Sequence, residues 1–399
     1  MQHFDLVLVA EYFRTVPYFT SIIRHLSKEF RIAVFPVPVD PRTAGKNDKA
    51  QAEFLRLCQE LGAVIAGPDQ ISASLVIVPQ RPYTAEAVAL LKSNIRSRNI
   101  VGALAFAWAG MPAQDRFIEE FGIRKVYAID MAFLTYLLRE RQNATTYENV
   151  EIAEVGLPYE KYPVFEDFSA DYMLAMPTPF SFPHEEDKWL FMETVLDLFK
   201  KIPPNETIVH KPHNGLDRDQ FTSKGLNWLT WVLAPLMPLL PRLKRFISPV
   251  PPKAGFRRFM GRLYTAYLYE NVLRRARPLY QTTRFHQLGL EVFLPFIKRG
   301  VIGGLSNTMW GSLYFKKPFY NCVDITVQNR GDKNRLYGKK DPGAFLDTNL
   351  RYFALPYCRG MLEFDEANFD KIPETCRKSD LIKHIAADIR STPAGPEPR

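Results

Sequence analysis

The chain has 399 residues, of which 46% are hydrophobic and 13% aromatic, and its formal net charge is +9. This length is typical of two domains, and the apolar content excludes global disorder because it is enough to bury a large interior. The four cysteines are scattered without a CxxC pair, which favours reduced thiols in a cytosolic protein over disulfides or a zinc site. No apolar run reaches the length of a transmembrane helix.

The first 165 residues predict an alternation of strands and helices. Apolar runs predict strands at 5–10, 31–37, 63–66, 75–79, 100–107 and 125–129, with helices at 20–30 and 48–61. Short continuous apolar strands that alternate with helices are typical of a parallel sheet covered on both faces. Ligands of such sheets bind at the carboxyl ends of the strands.

A second alternation follows a strand with a Gly/Pro turn at 151–163. Its predicted strands are 171–180, 207–213, 300–306 and 318–324, and its helices lie near 185–200 and 307–315. We therefore predict an α/β protein with two Rossmann-like domains that face a cleft. The first domain would span 1–165 and the second 166–375, and 376–399 would form a C-terminal helix and a disordered tail.

Residues 224–299 are predicted to be a helical basic insertion in the second domain. Between Arg242 and Arg299 there are 13 Lys/Arg and two acids, so this segment carries +11 and the remainder of the chain −2. The stretch 228–240, rich in Trp and Leu, is too short and too interrupted by proline to span a bilayer. Two interpretations stay open: an element in a membrane interface with its cations toward anionic headgroups, and a helical hairpin packed on the protein. The Trp/Leu/Pro block favours lipid over nucleic acid.

The sequence IVHKPHNG (208–215) sets Lys211 between His210 and His213, directly after a predicted strand. A metal site is disfavoured, because residues three apart on a strand project to opposite faces and no Cys or acidic ligand stands at suitable spacing. A structural turn stays open. A phosphate site is favoured, since lysine supplies a point charge and an imidazole can hydrogen-bond or protonate a leaving phosphate oxygen.

A second anion-binding pattern begins where the strand at 300–306 ends. After Gly303 and Gly304, the sequence opens a predicted helix with Ser306, Asn307 and Thr308. Glycines allow close approach of the backbone, while hydroxyls and free amides at a helix N-terminus bind anions. The same sequence also fits ordinary helix N-capping.

Four blocks of the chain resemble a known family. They are VGLPYEKY (155–162), LAMPTPF (174–180), IVHKPHN (208–214) and GGLSNTMWGSLYFKKPF (303–319). They resemble the G-x-P turn, the Pro-Thr turn, the K-x-H-P element and the serine-rich helix start of two-domain GT-B transferases. The closest resemblance is to CDP-glycerol glycerophosphotransferases and bacterial polysialyltransferases, which build surface polymers. It covers about residues 150–325, and the first domain matches only in its rhythm of strands and helices.

This resemblance implies that the matched elements hold the phosphates of a nucleotide donor. By position, the donor phosphate would be bound by Lys211, His213, Ser306, Asn307 and Thr308, with Thr178 nearby. His210 lies outside the matched motif and is predicted to be a packed neighbour. Asn214 stands where the family usually has proline, and no acidic residue stands near Ser306, where relatives often have one.

Inverting transfer needs a base that deprotonates the acceptor hydroxyl, and we expect this base in the first domain. The candidates at predicted strand ends are Glu11 and Asp115. The alternatives are that Glu11 pairs with Arg14 and that Asp115 caps the following helix. Arg81 is a candidate for contact with an anionic acceptor or, alternatively, a solvated loop residue.

Together these expectations describe a metal-independent, inverting glycosyl- or glycerophosphate-type transferase of GT-B architecture, which would be cytoplasmic and peripheral to the inner membrane. Its partners would be a CMP-, CDP- or UDP-linked donor, a glycan or lipid-linked acceptor, and the inner membrane surface through 228–299. We expect no cofactor, no metal and no nucleic-acid partner. Two alternatives stay open: a nucleotide-sugar 2-epimerase-like enzyme of the same fold, and a non-catalytic membrane-associated assembly protein.

Overall fold

The chain forms two units, each built around its own sheet. The first unit comprises 1–161, 287–292 and 370–399, and the second comprises 162–286 and 293–369. The computed structural model describes residues 2–10, 16–37, 48–67, 69–81, 83–104, 115–129, 144–156, 158, 168–177, 182, 185–211, 228–230, 232, 236, 239, 255–281, 288, 290–304, 312, 315, 317–322, 362–363 and 379–392. The domain boundary that we predict at 165 lies close to this division, but the C-terminal residues 370–399 return to the first unit.

The strands of the first unit form one parallel sheet. They are β1 (Gln2–Ala10), β2 (Ile32–Pro36), β3 (Val64–Ile65), β4 (Ile71–Pro79), β5 (Ile95–Arg96), β6 (Ile100–Leu104), β7 (Lys125–Ala128) and β8 (Glu151–Glu154). Their order is β3-β2-β1-β4-β6-β7-β8, and β5 pairs with β4. The central strands are nearly continuous runs of Val, Leu and Ile because both faces of the sheet are covered.

The helices of this unit connect the strands. They are α1 (Val16–Leu26), α2 (Asp48–Glu60), α3 (Ala85–Asn94) and α4 (Phe117–Phe121). Thr84 caps α3, since its hydroxyl accepts a hydrogen bond from the Ala87 backbone N–H at 3.2 Å. Helix α4 ends at Gly122, whose φ of 63° lies in the left-handed region that favours glycine.

The second unit repeats this topology in a smaller sheet. Its strands are β9 (Ala170–Ala175), β10 (Ile208–Lys211), β11 (Arg277–Pro278), β12 (Ile297–Gly303), β13 (Phe319–Asn321) and β14 (Leu362–Glu363), in the order β11-β10-β9-β12-β13-β14. All pairs are parallel except β13 with β14. In both sheets the first strand lies inside the sheet, the next two strands are added on one side of it and the later strands on the other side, as in doubly wound folds. The strand order therefore changes direction between β1 and β4 in the first sheet and between β9 and β12 in the second. The prediction of two Rossmann-like α/β domains is confirmed.

Part of the predicted basic insertion lies in the core of the second unit. Helix α5 (Glu185–Lys201) packs on helix α6 (Gly255–Arg275), where the Trp189 and Tyr264 rings meet edge to face at 5.2 Å. The Thr265 hydroxyl accepts a hydrogen bond from Trp189 Nε1 at 2.9 Å and donates to Glu185 Oε2 at 2.7 Å. The predicted range 224–299 therefore includes a core helix, strand β11 and the start of β12.

The C-terminal helix α7 (Leu381–Ser391) packs on the first unit. It contacts α1 and β4, and it buries Leu381, Ile385 and Ile389. Asp388 fixes it to the sheet through Lys125 Nζ at 2.8 Å and through the Tyr127 hydroxyl, which donates a hydrogen bond to the carboxylate. No helix in the described part of the chain is long and apolar enough to cross a membrane.

Candidate functional site

The carboxyl ends of four adjacent strands meet at one edge of the second sheet. Lys211 at the end of β10 is in register with Ala175 of β9, and Ala175 is in register with Gly303 of β12. Gly303 is in turn in register with Asn321 of β13. The strand order of this sheet changes direction between β9 and β12, and we call this place the switch point. Doubly wound α/β sheets bind their ligands at the switch point.

Lys211 is buried at this edge, with 4% of its surface exposed. Its backbone carbonyl accepts a hydrogen bond from the Met176 N–H at 3.1 Å, which extends the pairing of β10 and β9 past the strand end. A buried cation at the carboxyl edge of a doubly wound sheet is suited to hold an anionic ligand.

His210 packs on the protein, as the sequence predicts. It is buried, and its ring meets the Tyr269 ring of α6 edge to face, with 5.9 Å between the ring centroids. Among the described residues, no group of three His, Cys, Asp or Glu side chains is placed to hold a metal ion. His210 therefore belongs to the wall of the second core.

Gly303 brings β12 close to β9 at the switch point. A Cβ atom at this position would lie 2.7 Å from the Ala175 carbonyl oxygen and 3.3 Å from Ala175 Cβ. The nearer contact is backbone, so no rotamer change could relieve it. Only glycine allows the two strand ends to approach in this way.

Most of the predicted site residues lie outside the described part of the chain. They are Glu11, Thr178, His213, Ser306, Asn307 and Thr308. Their roles stay predictions, although each of them follows a described strand within a few residues. The stretch after β10 also contains Asp217 and Asp219, whose acid-x-acid spacing can bind a divalent cation. Our sequence interpretation missed this pair, so metal independence stays an expectation.

Asp115 lies in a buried polar cluster at the carboxyl edge of the first sheet. Only 1% of its surface is exposed, and its Oδ1 accepts hydrogen bonds from Gln80 Nε2 and from the Tyr147 hydroxyl, both at 2.6 Å. Gln80 directly follows β4, and its backbone N–H donates to the Ala103 carbonyl of β6 at 2.8 Å. The N-cap position of α4 is Arg116 rather than Asp115.

Our sequence interpretation did not include Gln80 or Tyr147. Gln80 could have been found, because it is the first residue after the apolar strand at 75–79. Tyr147 carries no such signal, since its position beside Asp115 arises from the packing of a short 3₁₀ turn at 144–147. The guanidinium of Arg81, a candidate for acceptor binding, lies 5.2 Å from the centroid of the Tyr83 ring in a cation–π contact.

Comparison with protein families and with curated proteins finds no match to this chain. Among solved structures, it is similar to a S. aureus MnaA–UDP complex, with 10% identity over 89% of this chain and 97% of that chain and a TM-score of 0.38. An α,α-trehalose-phosphate synthase (UDP-forming) from Burkholderia vietnamiensis has 12% identity over 94% and 77% of the two chains, with a TM-score of 0.27. The calicheamicin glycosyltransferase CalG4 has 11% identity over 98% and 96%, with a TM-score of 0.28. At these scores the likenesses carry no argument, and the fold class rests on the two sheets.

Proposed function

We propose that this chain transfers a sugar or glycerophosphate group from a nucleotide-activated donor, cytidine- or uridine-linked, to a lipid-linked or surface-polysaccharide acceptor. The observation that carries the proposal is the common register of Lys211, Ala175 and Gly303 at the carboxyl edge of the second sheet. This edge is where doubly wound sheets bind nucleotides.

The register supports a phosphate site because the predicted phosphate ligands follow these same strand ends. Thr178 and Ser306 each come three residues after a strand, and His213 comes two residues after Lys211. Three residues span at most about 10 Å, and neighbouring strands lie about 4.8 Å apart. The chain therefore permits all of these side chains to reach one phosphate group.

In this proposal Lys211 offsets the negative charge that develops on the leaving phosphate. His213 hydrogen-bonds or protonates a phosphate oxygen, and Ser306 and Thr308 donate hydroxyl hydrogen bonds. Asp115, oriented by the hydrogen bonds from Gln80 and Tyr147, removes the proton of the acceptor hydroxyl. Because Asp115 is buried, Glu11 is the alternative base, directly after β1.

Nucleotide binding tests the proposal. Isothermal titration with CMP, CDP, UDP and GDP, each with Mg²⁺ and with EDTA, should show binding of a cytidine or uridine nucleotide by the wild-type chain. Lys211→Met keeps the buried volume and removes the charge, and it should weaken binding about 10- to 100-fold, since a charge-assisted hydrogen bond contributes about 1.5–3 kcal/mol. Lys200→Ala, a change at an exposed lysine on α5, is the matched control and should bind as wild type.

Two outcomes would contradict the proposal. A wild-type chain that binds none of the four nucleotides would support the non-catalytic alternative. Nucleotide binding followed by conversion of a nucleotide sugar to its epimer without an acceptor would support the epimerase alternative. Dependence of binding on Mg²⁺ would contradict only the expectation of a metal-independent reaction and would direct attention to Asp217 and Asp219.

A further inference from the structure

Cationic side chains collect at the amino edge of the second sheet, the edge where its parallel strands begin. Helices α5 and α6 end there, because each of them leads into the start of the next strand. In the described residues of this edge, Lys and Arg outnumber Asp and Glu by seven to three. The cations are Lys200, Lys201, Arg274, Arg275, Arg277, Lys298 and Arg299, and the acids are Asp171, Asp197 and Glu206.

Measured contacts join these segments into one surface. Arg275 at the end of α6 donates to the Glu206 and Pro203 carbonyls at 3.1 and 2.8 Å. Arg299 at the start of β12 pairs with the Glu206 carboxylate at 2.8 Å. The end of α6 and the start of β12 therefore meet at the same loop, the one that joins α5 to β10.

Four of the cations are available to a partner, and we call them the amino-edge cations. They are Lys201, Arg274, Arg277 and Lys298, and each lies within two residues of a residue in the contacts just described. All four are exposed. In the described part of the chain, none of their side chains makes a hydrogen bond or an ion pair.

This edge is unsuited to hold one small anion tightly. Helix C-termini carry partial negative charge and direct carbonyl groups outward, so the ends of α5 and α6 supply no N–H donors here. The amino-edge cations are also spread from β11 to β12, which are separated by three inter-strand gaps, or about 14 Å. An anion that engages them together must carry several charges.

The edge is also hydrophilic. Lipid surfaces and folded protein partners are bound largely through apolar side chains that insert or pack. Among the described residues of 170–172, 197–208, 274–281 and 297–300, Tyr280 is the only exposed large hydrophobic side chain. Charge without an apolar surface favours a hydrated, flexible partner.

We propose that the amino-edge cations bind a hydrophilic polyanion, a flexible polymer that carries a phosphate or a carboxylate on each repeat. Exposed ion pairs are individually weak, so the affinity comes from several pairs that form along one polymer chain. Lys211 lies at the opposite edge of the same sheet, so the polymer and the nucleotide occupy separate sites. This inference goes beyond the proposed function and does not rest on it.

Fluorescence anisotropy of the full chain with labelled long-chain inorganic polyphosphate, and separately with labelled hyaluronate, tests the proposal. Wild type should bind at least one polymer, and the tighter of the two identifies the anion as phosphate or carboxylate. The logarithm of the affinity should fall linearly as the logarithm of the NaCl concentration rises. Lys201→Gln, Arg274→Gln, Arg277→Gln and Lys298→Gln combined should weaken binding roughly tenfold or more and reduce this salt slope by about 3.

The matched control removes four exposed cations from the first unit. It combines Lys92→Gln, Arg96→Gln, Arg98→Gln and Arg124→Gln, and it should bind the polymer as wild type does. Equal weakening in both variants would show that only net charge matters and would overturn the proposal. The melting temperatures of both variants should match wild type, because all eight side chains are exposed.

Three other results would overturn the proposal. They are no binding of either polymer, binding of orthophosphate as tight per phosphate as that of polyphosphate, and tighter binding to phosphatidylglycerol vesicles that the amino-edge variant loses. The second result would assign the cations to a small-anion site, and the third would assign them to a lipid surface. Nucleotide binding should be unchanged in the amino-edge variant, so failure here leaves the proposed function untouched.

Discussion

Replacement of Gly303 by alanine should disturb the point between β9 and β12 where the strand order of the second sheet changes direction. The added Cβ would lie 2.7 Å from the Ala175 carbonyl oxygen, well inside the closest approach that real Cβ atoms show. The neighbour is backbone, so β9 and β12 must separate to admit the methyl group. That movement would strain the parallel pairing of Gly303 with Ala175.

The loss of stability in Gly303→Ala comes from the extra methyl group in an interior that is already packed. Extra methylene groups in a well-packed interior cost about 1–3 kcal/mol, and for a unit of this size each kcal/mol lowers the melting temperature by roughly 2–4 °C. We therefore expect Gly303→Ala to lower the melting temperature of the second unit by roughly 2–12 °C. The change should also weaken nucleotide binding, because it displaces the strand end beside Lys211.

Differential scanning calorimetry measures the stability change, and Gly67→Ala is the control. A Cβ at Gly67 would meet no atom within 4 Å, so this variant should melt within about 1 °C of wild type. If Gly303→Ala melts like Gly67→Ala, the two strands do not approach closely at this edge. The inference that only glycine at position 303 lets β9 and β12 approach each other would then be wrong.

Three further changes test the packing and the first sheet. Thr265→Val keeps the side-chain shape but removes the nearer of the two acceptors of Trp189 Nε1, the other being the Gly261 carbonyl at 3.3 Å, and it removes the donor to Glu185 Oε2. It should lower the free energy of unfolding by about 1–3 kcal/mol. Burial and a hydrogen bond to a carboxylate raise the pKa of Tyr127, so its contribution to stability is present below about pH 10 and is lost as the pH rises further. The melting temperature of wild type should therefore fall more steeply above pH 10 than that of Tyr127→Phe. If Asp115 is the base, Tyr147→Phe should shift the acidic limb of the pH–rate profile to higher pH, because the carboxylate loses a hydrogen bond that favours its charged form; an unshifted limb would exclude Asp115.

The long strands could be predicted from the sequence because their signal is local. Strands β1 and β4 and the last four residues of β12 are buried on both faces, so their apolar runs are continuous and stand out between polar helices. Strands β5, β11 and β14 contain two residues each, and two residues cannot show a periodicity. Their pairing depends on strands distant in the sequence, which the local pattern does not contain.

The sequence predicts a basic insertion where helix α6 lies, because charges dominate the composition of this segment. The apolar face of α6 is present, with Leu263, Leu268 and Val272 buried against the second core. The exposed face carries Arg262 and Arg274, and a charge count treats both faces alike. The periodicity of α6, taken separately from the proline-rich stretch 235–252 that precedes it, predicts a core helix.

The residues at the strand ends of the second sheet could be predicted from the sequence, whereas the contacts of Asp115 in the first sheet could not. Lys211 and Gly303 could be predicted to lie at one edge, because all strands of a parallel sheet end on the same side and the sequence marks where each strand ends. The contacts of Asp115 could not, since Tyr147 reaches it from a turn after β7 and Gln80 from the end of β4. Strand order brings these residues together, and strand order follows from the pairing of whole strands rather than from any short motif. A sequence therefore indicates where the strand ends of a doubly wound sheet lie more readily than which side chains surround a buried carboxylate at such an edge.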